Sequence, residues 1–137
     1  MFFLYSVKIK PITWNNCYSQ SKNGRRFLTK QGKEYKREIK RQLQGIKVSF
    51  NPESQFLSLD VSFYHDDIMT KTGKIKARRH DLDGFLKLFI DAMIEATGLP
   101  DDSYICDINC AKRPGNNLVI FNITPHLIDE SFNVTRQ

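Results

Sequence analysis

Asp81 and Asp83 flank a single leucine at the head of an apolar, helix-periodic stretch, and Lys87 follows one helical turn after Asp83. With Asp81 near the N-cap and Asp83 in the first turn, both carboxylates sit at the positive end of a helix, where their ionised forms are favoured. Two ionised carboxylates converging on one spot attract a hard divalent cation such as Mg²⁺, which takes oxygen ligands and normally comes with a phosphate. A third carboxylate is on offer at Asp101 or Asp102, just past the stop signal Gly98-Leu99-Pro100. The Lys87 ammonium reaches the same spot and would offset charge developing on a phosphoryl group or a leaving oxygen. A plainer reading competes with this one. Either Asp could simply cap the helix, and Asp83 with Lys87 could be an ordinary i, i+4 ion pair worth about 0.3–0.5 kcal/mol. Two rival D-x-D chemistries, dehalogenase-type phosphoryl transfer and sugar-nucleotide transfer, place the pair after an apolar strand. Here Lys76, Arg78, Arg79 and His80 precede it. His65, His80 and His126 lack zinc spacing, and of the three only His80 is close to the acidic pair; a DNA or solvent contact is the reading its position favours.

Those residues need a scaffold, and the periodicities outline one. Residues 2–10 are rich in Phe, Leu, Tyr, Val and Ile and stop at Pro11, as an opening strand would. Thr13 to Gly24, full of Asn and Ser, reads as a loop. From Thr29, an N-cap residue type, a helix to about Gly45 carries Tyr35, Ile39 and Leu43 as a narrow apolar stripe inside a wide basic face. Phe56 to Tyr64 alternates as a half-buried strand. Residues 68–79 turn at Gly73 and read as an exposed basic hairpin or loop. A second helix spans Leu82 to Thr97 and ends at Gly98. In it Asp83, Lys87, Asp91 and Glu95 form a row opposite the apolar stripe, with Asp91 and Glu95 read as helix surface or a structural hydrogen bond. Strands at Tyr104–Lys112 and Leu118–Thr124 follow, separated by the turn Arg113 to Asn117. The order β-α-β-turn-α-β-β predicts a single α+β domain over residues 1–137, with a mixed, mostly antiparallel sheet and two helices packed on it. Its core covers about 4–125, and 126–137 form a tail.

Length, composition and charge bound what such a domain can do. At 137 residues, 40% hydrophobic and 26% charged, the chain suits one ordinary globular domain and is too short for two. The net charge of +6 is distributed in blocks. Residues 1–50 hold 12 Lys and Arg against 2 acids, 51–70 none against 4, 71–80 hold 5 against none, and 81–137 hold 4 against 9. A basic front and an acidic back argue for an anionic partner together with a separate carboxylate cluster, and nucleic acid fits that pairing. Cys17, Cys106 and Cys110 offer neither a disulfide framework nor zinc spacing, and no long apolar stretch occurs. These features point to a cytosolic protein without a membrane anchor.

The stretch Asp81-Leu82-Asp83-Gly84-Phe85-Leu86-Lys87, then Asp91-Ala92-Met93, then Gly98 to Asp102, then Lys112, resembles the RusA family of Holliday-junction resolvases. Asn15, Asn16, Tyr18, Gly24, Arg25, Thr29, Gly32 and Tyr35 are similar in order and spacing to the front of that family's pattern, so the resemblance covers about residues 5–124. It implies a RusA-like fold and a homodimer that resolves branched DNA, the four-way junction, by paired symmetric nicks in recombination and repair. It implies that Asp81, Asp83 and Asp102 hold Mg²⁺, with Mn²⁺ as a substitute ion, and that Lys87 is the nearby base or charge. Asp101 becomes a further ligand or a support for the loop. No small organic cofactor is expected, and the setting is the cytoplasm of a bacterium or its phage. Asn15, Asn16, Tyr18, Arg25, Arg26, Lys76, Arg78, Arg79 and Lys112 are the expected DNA contacts. Trp14, Tyr18 and Phe27 could stack on opened bases, with core packing the expected fate of Phe27. The sequence departs from the family's pattern at Gly84, where Asn is usual, at His80, where Pro or Arg is common, and in a longer segment 65–78.

Two other functions fit the same residues: a non-catalytic DNA- or RNA-binding module whose acids only cap a helix, and a metal-dependent phosphohydrolase of small nucleotides. The absence of a nucleotide-cradling Gly-rich loop weighs against the latter.

Overall fold

The computed structural model describes residues 4–76 and 80–129 and opens with a short strand, β1 (Tyr5–Val7). One helical turn, α1 (Trp14–Cys17), leads directly into a two-stranded ribbon of β2 (Tyr18–Gln20) and β3 (Arg26–Leu28). Then come α2 (Lys30–Gln42), β4 (Gln55–His65), α3 (Leu82–Thr97), a single 3₁₀ turn at Asp102–Tyr104, β5 (Ile105–Pro114) and β6 (Leu118–Leu127).

The architecture is α+β, as the sequence pattern predicts. Strand β4 is its axis. Leu57, Leu59, Val61 and Phe63 are all buried on one face, and Ser58, Asp60, Ser62 and Tyr64 occupy the other. The strand pairs antiparallel with β6 and parallel with β5, giving the order β1-β6-β4-β5. A parallel neighbour requires a crossover, and α3 supplies it, lying on the apolar face of the sheet. Phe85, Leu88, Phe89 and Met93 of α3 are fully buried, and the Phe89 ring meets Phe63 and Phe121 edge-on at 5.8 and 5.0 Å between centroids. Each such ring contributes about 2–3 kcal/mol of apolar burial. Tyr35, Ile39 and Leu43 of the narrow α2 stripe complete a single core.

The segment predicted as a loop from Thr13 to Gly24 instead contains α1 and the first strand of the ribbon, so the described residues hold three helices and two sheets rather than two helices on one sheet. One helical turn is too short to show a periodicity, and tertiary contacts hold it in place. The Thr29 hydroxyl caps α2 by accepting from Gly32 N at 3.1 Å and donates back to the Asn16 carbonyl at 2.8 Å. The opening strand is shorter than predicted, with residues 1–3 outside the described set. At the other end β6 runs to Leu127, so His126 and Leu127 belong to the sheet and not to a tail. The bridge between Met69 and Ile75 around Gly73 is the expected exposed hairpin. All three cysteines are free thiols, and among the described residues no helix is long and apolar enough to cross a membrane.

Candidate active site

Helix α3 begins where the sequence places it, with Asp81 at the N-cap and Asp83 in the first turn. The Asp81 side chain makes no capping hydrogen bond. Neither carboxylate is committed to a hydrogen bond or ion pair with a described residue, so capping does not account for the pair. Lys87 does not pair with Asp83 either. Its Nζ lies 4.2 Å from the centroid of the Trp14 ring, a cation–π contact across the gap between α3 and α1.

Asp81, Asp83, Gly84, Lys87 and His80 form one wall of an open cavity of about 460 Å³, and Thr13, Trp14, Asn15 and Asn16 form the other. Gly84 sets the spacing of these walls. A Cβ built there would lie 3.0 Å from the Thr13 Cβ and 3.4 Å from its Cα, so the glycine lets α1 approach the first turn of α3. The turn entering the helix is fixed from below. His80 has φ 57°, unusual for a residue with a side chain, and three partners hold it. Its Nε2 is 3.0 Å from Asp67 Oδ2, its carbonyl accepts from Lys112 Nζ at 3.2 Å, and its ring packs on buried His65 at 4.1 Å. Burial, then the charges of His80 and Lys10, hold His65 below the ordinary histidine range, and its Nδ1 accepts from Asp67 N at 2.9 Å. This is a neutral, structural imidazole.

The opposite wall is tied to the same helix lower down. The Tyr18 hydroxyl donates to Asp91 Oδ2 at 3.2 Å, and Lys36 Nζ donates to that oxygen at 2.6 Å. Burial opposes the Lys36 charge, yet Asp91 and Tyr18 outweigh it and raise this lysine above its usual range. Asp91 is thus the structural hydrogen-bond partner the sequence allowed it to be. The Tyr18 and Trp14 rings lie 4.2 Å apart, and the Arg26 guanidinium is 5.8 Å from the Trp14 ring.

The expected DNA contacts therefore divide. Asn15, Asn16, Arg25 and Arg26 are exposed, the first two in the cavity wall. Tyr18, Lys76 and Lys112 are occupied by Asp91, Asp67 and the His80 carbonyl. Arg78 and Arg79 lie outside the described residues. Phe27, expected in the core, is 48% exposed.

Asp101 and Asp102 do not line the cavity. They sit past the far end of α3, where Asp101 accepts from the Ser103 hydroxyl at 3.0 Å. The hydrogen bond with Asp101, partial burial and the Asp91 charge raise the Asp102 carboxyl, while Ser103 and Asp102 lower Asp101. Among the described residues no three His, Cys, Asp or Glu side chains converge as a metal cage, so the expected triad is not assembled within one chain. Of the wall residues, Thr13 had no assigned role, Trp14 was expected to stack on opened bases and His80 to contact DNA or solvent. Adjacency to Asn15 and Asn16, read as one helical turn, is the signal that would have found Thr13.

The chain matches the endodeoxyribonuclease RusA family over residues 8–123, which includes both walls of the cavity. It belongs to the RusA family. Among curated proteins no relative matches it. As a RusA-family member it is an enzyme that cleaves DNA, and the non-catalytic reading falls away. The family match runs from Lys8 to Ile123, so it takes in the α1 wall, the crossover helix and the acids beyond it. Donor chemistry in the RusA cavity suits a hard cation: carboxylates from Asp81 and Asp83, with the amide oxygens of Asn15 and Asn16 opposite.

Proposed function

We propose that this RusA-family enzyme is a divalent-metal-dependent, structure-specific endodeoxyribonuclease that resolves four-way junctions by paired symmetric nicks during recombination and repair, in the cytoplasm of a bacterium or its phage. The observation that carries this reading is the shared cavity in which Asp81, Asp83 and Lys87 face Asn15 and Asn16, with both carboxylates unspent on capping. Asp81 and Asp83 would hold Mg²⁺, or Mn²⁺ in its place. When bound, such an ion polarises the phosphodiester and offsets charge on the leaving oxygen. Lys87, steadied on the Trp14 face, adds positive charge at the same phosphate, and the Asn15 and Asn16 amides orient its free oxygens. Exposed Arg25, Arg26, Lys33, Arg37 and Lys40 hold neighbouring phosphates.

A junction with two-fold symmetry calls for an isologous dimer. Strand β5 is an edge of the sheet, and Cys106, Asp107, Ile108 and Asn109 along it are exposed. In an antiparallel pair of two such edges, the head of each strand lies beside the tail of the other. The head carries Asp101 and Asp102. The tail runs beneath the cavity, where Lys112 bonds the His80 carbonyl and burial, followed by the Asp83 charge, raises Cys110. This arrangement supplies the third carboxylate, Asp102 of the partner subunit, to a site that one chain leaves two-sided.

The test is incubation with an immobile four-way junction and a matched linear duplex, each with Mg²⁺ and with a chelator. Paired nicks confined to the junction and dependent on the metal are expected; equal cutting of the linear duplex, or cutting in chelator, overturns the reading.

A further inference from the structure

The large apolar side chains exposed among the described residues are aliphatic except for Phe27. A lone exposed apolar residue is ordinary. Phe27 is set apart by its position. It lies on the ribbon β2–β3, a sheet separate from the main one and of a kind that is marginal in isolation. This ribbon is braced at its base, where Tyr18 lies against Trp14 and bonds Asp91 and Leu28 packs on the core, and Arg26 reaches back over the same indole. Cross-strand pairs put Tyr18 with Leu28 and Gln20 with Arg26 on one face, turned toward the cavity wall, and Ser19 with Phe27 on the other. No aromatic ring of a described residue meets Phe27. Lys22, Arg25, Arg26 and Lys30 lie within five residues of it along the chain, all exposed, and residues 18–30 contain no acid.

An aromatic face standing free among cations, on an arm joined directly to the cleavage cavity, matches the chemistry of an unpaired base with its flanking phosphates. We propose that Phe27 stacks on a base unpaired at the branch point, while Lys22 and Arg25 hold the adjacent phosphates, so that the ribbon keeps the junction open beside the Asp81–Asp83 site. This deepens the branched-DNA reading and rests on it. Stacking requires a π face and not merely apolar bulk. The ribbon's base holds the arm at a fixed place relative to the cavity, which ties the opened base to the strand that is cut.

The test uses the full chain with an immobile junction carrying 2-aminopurine at the branch point, in Mg²⁺ for cleavage and in Ca²⁺ for binding. The unsubstituted enzyme is expected to raise 2-aminopurine emission on binding. Phe27→Ala and Phe27→Leu should lose most of that rise and cut the junction about ten- to a hundredfold more slowly. The salt dependence of binding should be unchanged, because no phosphate contact is removed. Phe27→Trp should keep both signals. Since the ring is half exposed, these variants leave the core intact, which an unchanged thermal midpoint would check. If the unsubstituted enzyme raises emission and prefers the junction while Phe27→Ala does the same, the stacking proposal is overturned and the branched-DNA reading stands. If Phe27→Leu matches the unsubstituted enzyme, a π contact is likewise overturned. If the unsubstituted enzyme shows no preference for the junction, the substrate reading fails first and takes this proposal with it.

Discussion

The two ends of α3 carry the same residue type in opposite settings. At the near end, Asp81 and Asp83 sit at the positive pole of the helix, and the Asp81 side chain makes no capping hydrogen bond. At the far end, beyond Gly98 in a left-handed conformation, Asp101 and Asp102 are adjacent, lie past the negative pole and feel Asp91. There the interaction resolves unequally, with Asp102 raised by its hydrogen bond to Asp101 and Asp101 lowered by Ser103. The chain turns back after Gly98 far enough for Asp102 to feel Asp91, midway along α3, yet among the described residues no three acids converge as a metal cage.

The largest effect that would break this comparison comes from the near end. Asp81→Asn or Asp83→Asn should lower junction cleavage by about a thousandfold or more, with binding retained or tightened because a charge that repels phosphate is gone. Single-turnover cleavage and a gel-shift titration read the two quantities apart. Asp102→Asn should be as inactive, and mixing the subunits sharpens the contrast. If Asp102 acts across the dimer, combining the inactive Asp81→Asn and Asp102→Asn chains regenerates one intact site per mixed dimer. Single nicks should then return at about a quarter of the normal site count. A silent mixture would mean that the far-end acids work within their own chain or not at all.

Lys87 comes next. Lys87→Met should cost about 10²–10³ in cleavage rate through loss of a fixed charge, with a small change in stability, since its partner is a half-exposed ring and not a carboxylate. A comparable loss in Trp14→Phe, measured as kcat with KM unchanged, would show that the indole holds the ammonium in place.

Much of the near end was legible in the sequence. The start and stop of α3, the Thr29 cap and the alternation of β4 follow from local chemistry, and the structure puts them where that chemistry requires. The far end was not, because where Asp101 and Asp102 come to lie after the turn at Gly98 depends on long-range packing that spacing alone does not determine. The same limit explains Tyr18, Lys76 and Lys112. Their types announce affinity for an anion, and only the fold reveals that the anion is Asp91, Asp67 or a backbone carbonyl. The turn at Arg113 to Asn117 reverses the chain as expected, yet β5 and β6 do not pair with each other, because β4 lies between them. Phe27 shows the converse error: hydrophobicity argued for burial, and a ribbon too small to have an interior left it outside.

Gly84 supplies an intermediate effect. Asn is usual at this position in the pattern the sequence resembles, but in this chain Thr13 fills the space a side chain would need. Gly84→Ala should cost about 1 kcal/mol of stability and lower cleavage roughly tenfold by pushing α1 away from the acids, and Gly84→Asn should be worse. An asparagine variant of undiminished activity would show that the wall spacing is not set here.

The smallest effect concerns the support beneath the near end. His65 is 1% exposed and held below the ordinary value of 6.5 by burial first and then by the His80 and Lys10 charges, with Asp66 and Asp67 acting in the opposite sense. A depressed folded-state value means that the unfolded chain takes up the proton more readily, so the stability from neutral His65 is complete above pH 6.5 and drains away as pH falls through the folded-state value. The thermal midpoint should therefore decline on acidification from neutrality, earlier than carboxylate titration alone would produce. His65→Asn keeps an acceptor for Asp67 N while removing the titration and the ring contact with His80. That variant should be less stable at every pH and flatter between pH 7 and 5. If its midpoint follows pH as steeply as that of the unsubstituted chain, the acid sensitivity arises elsewhere, and the far-end pair of Asp101 and Asp102 becomes the group to examine.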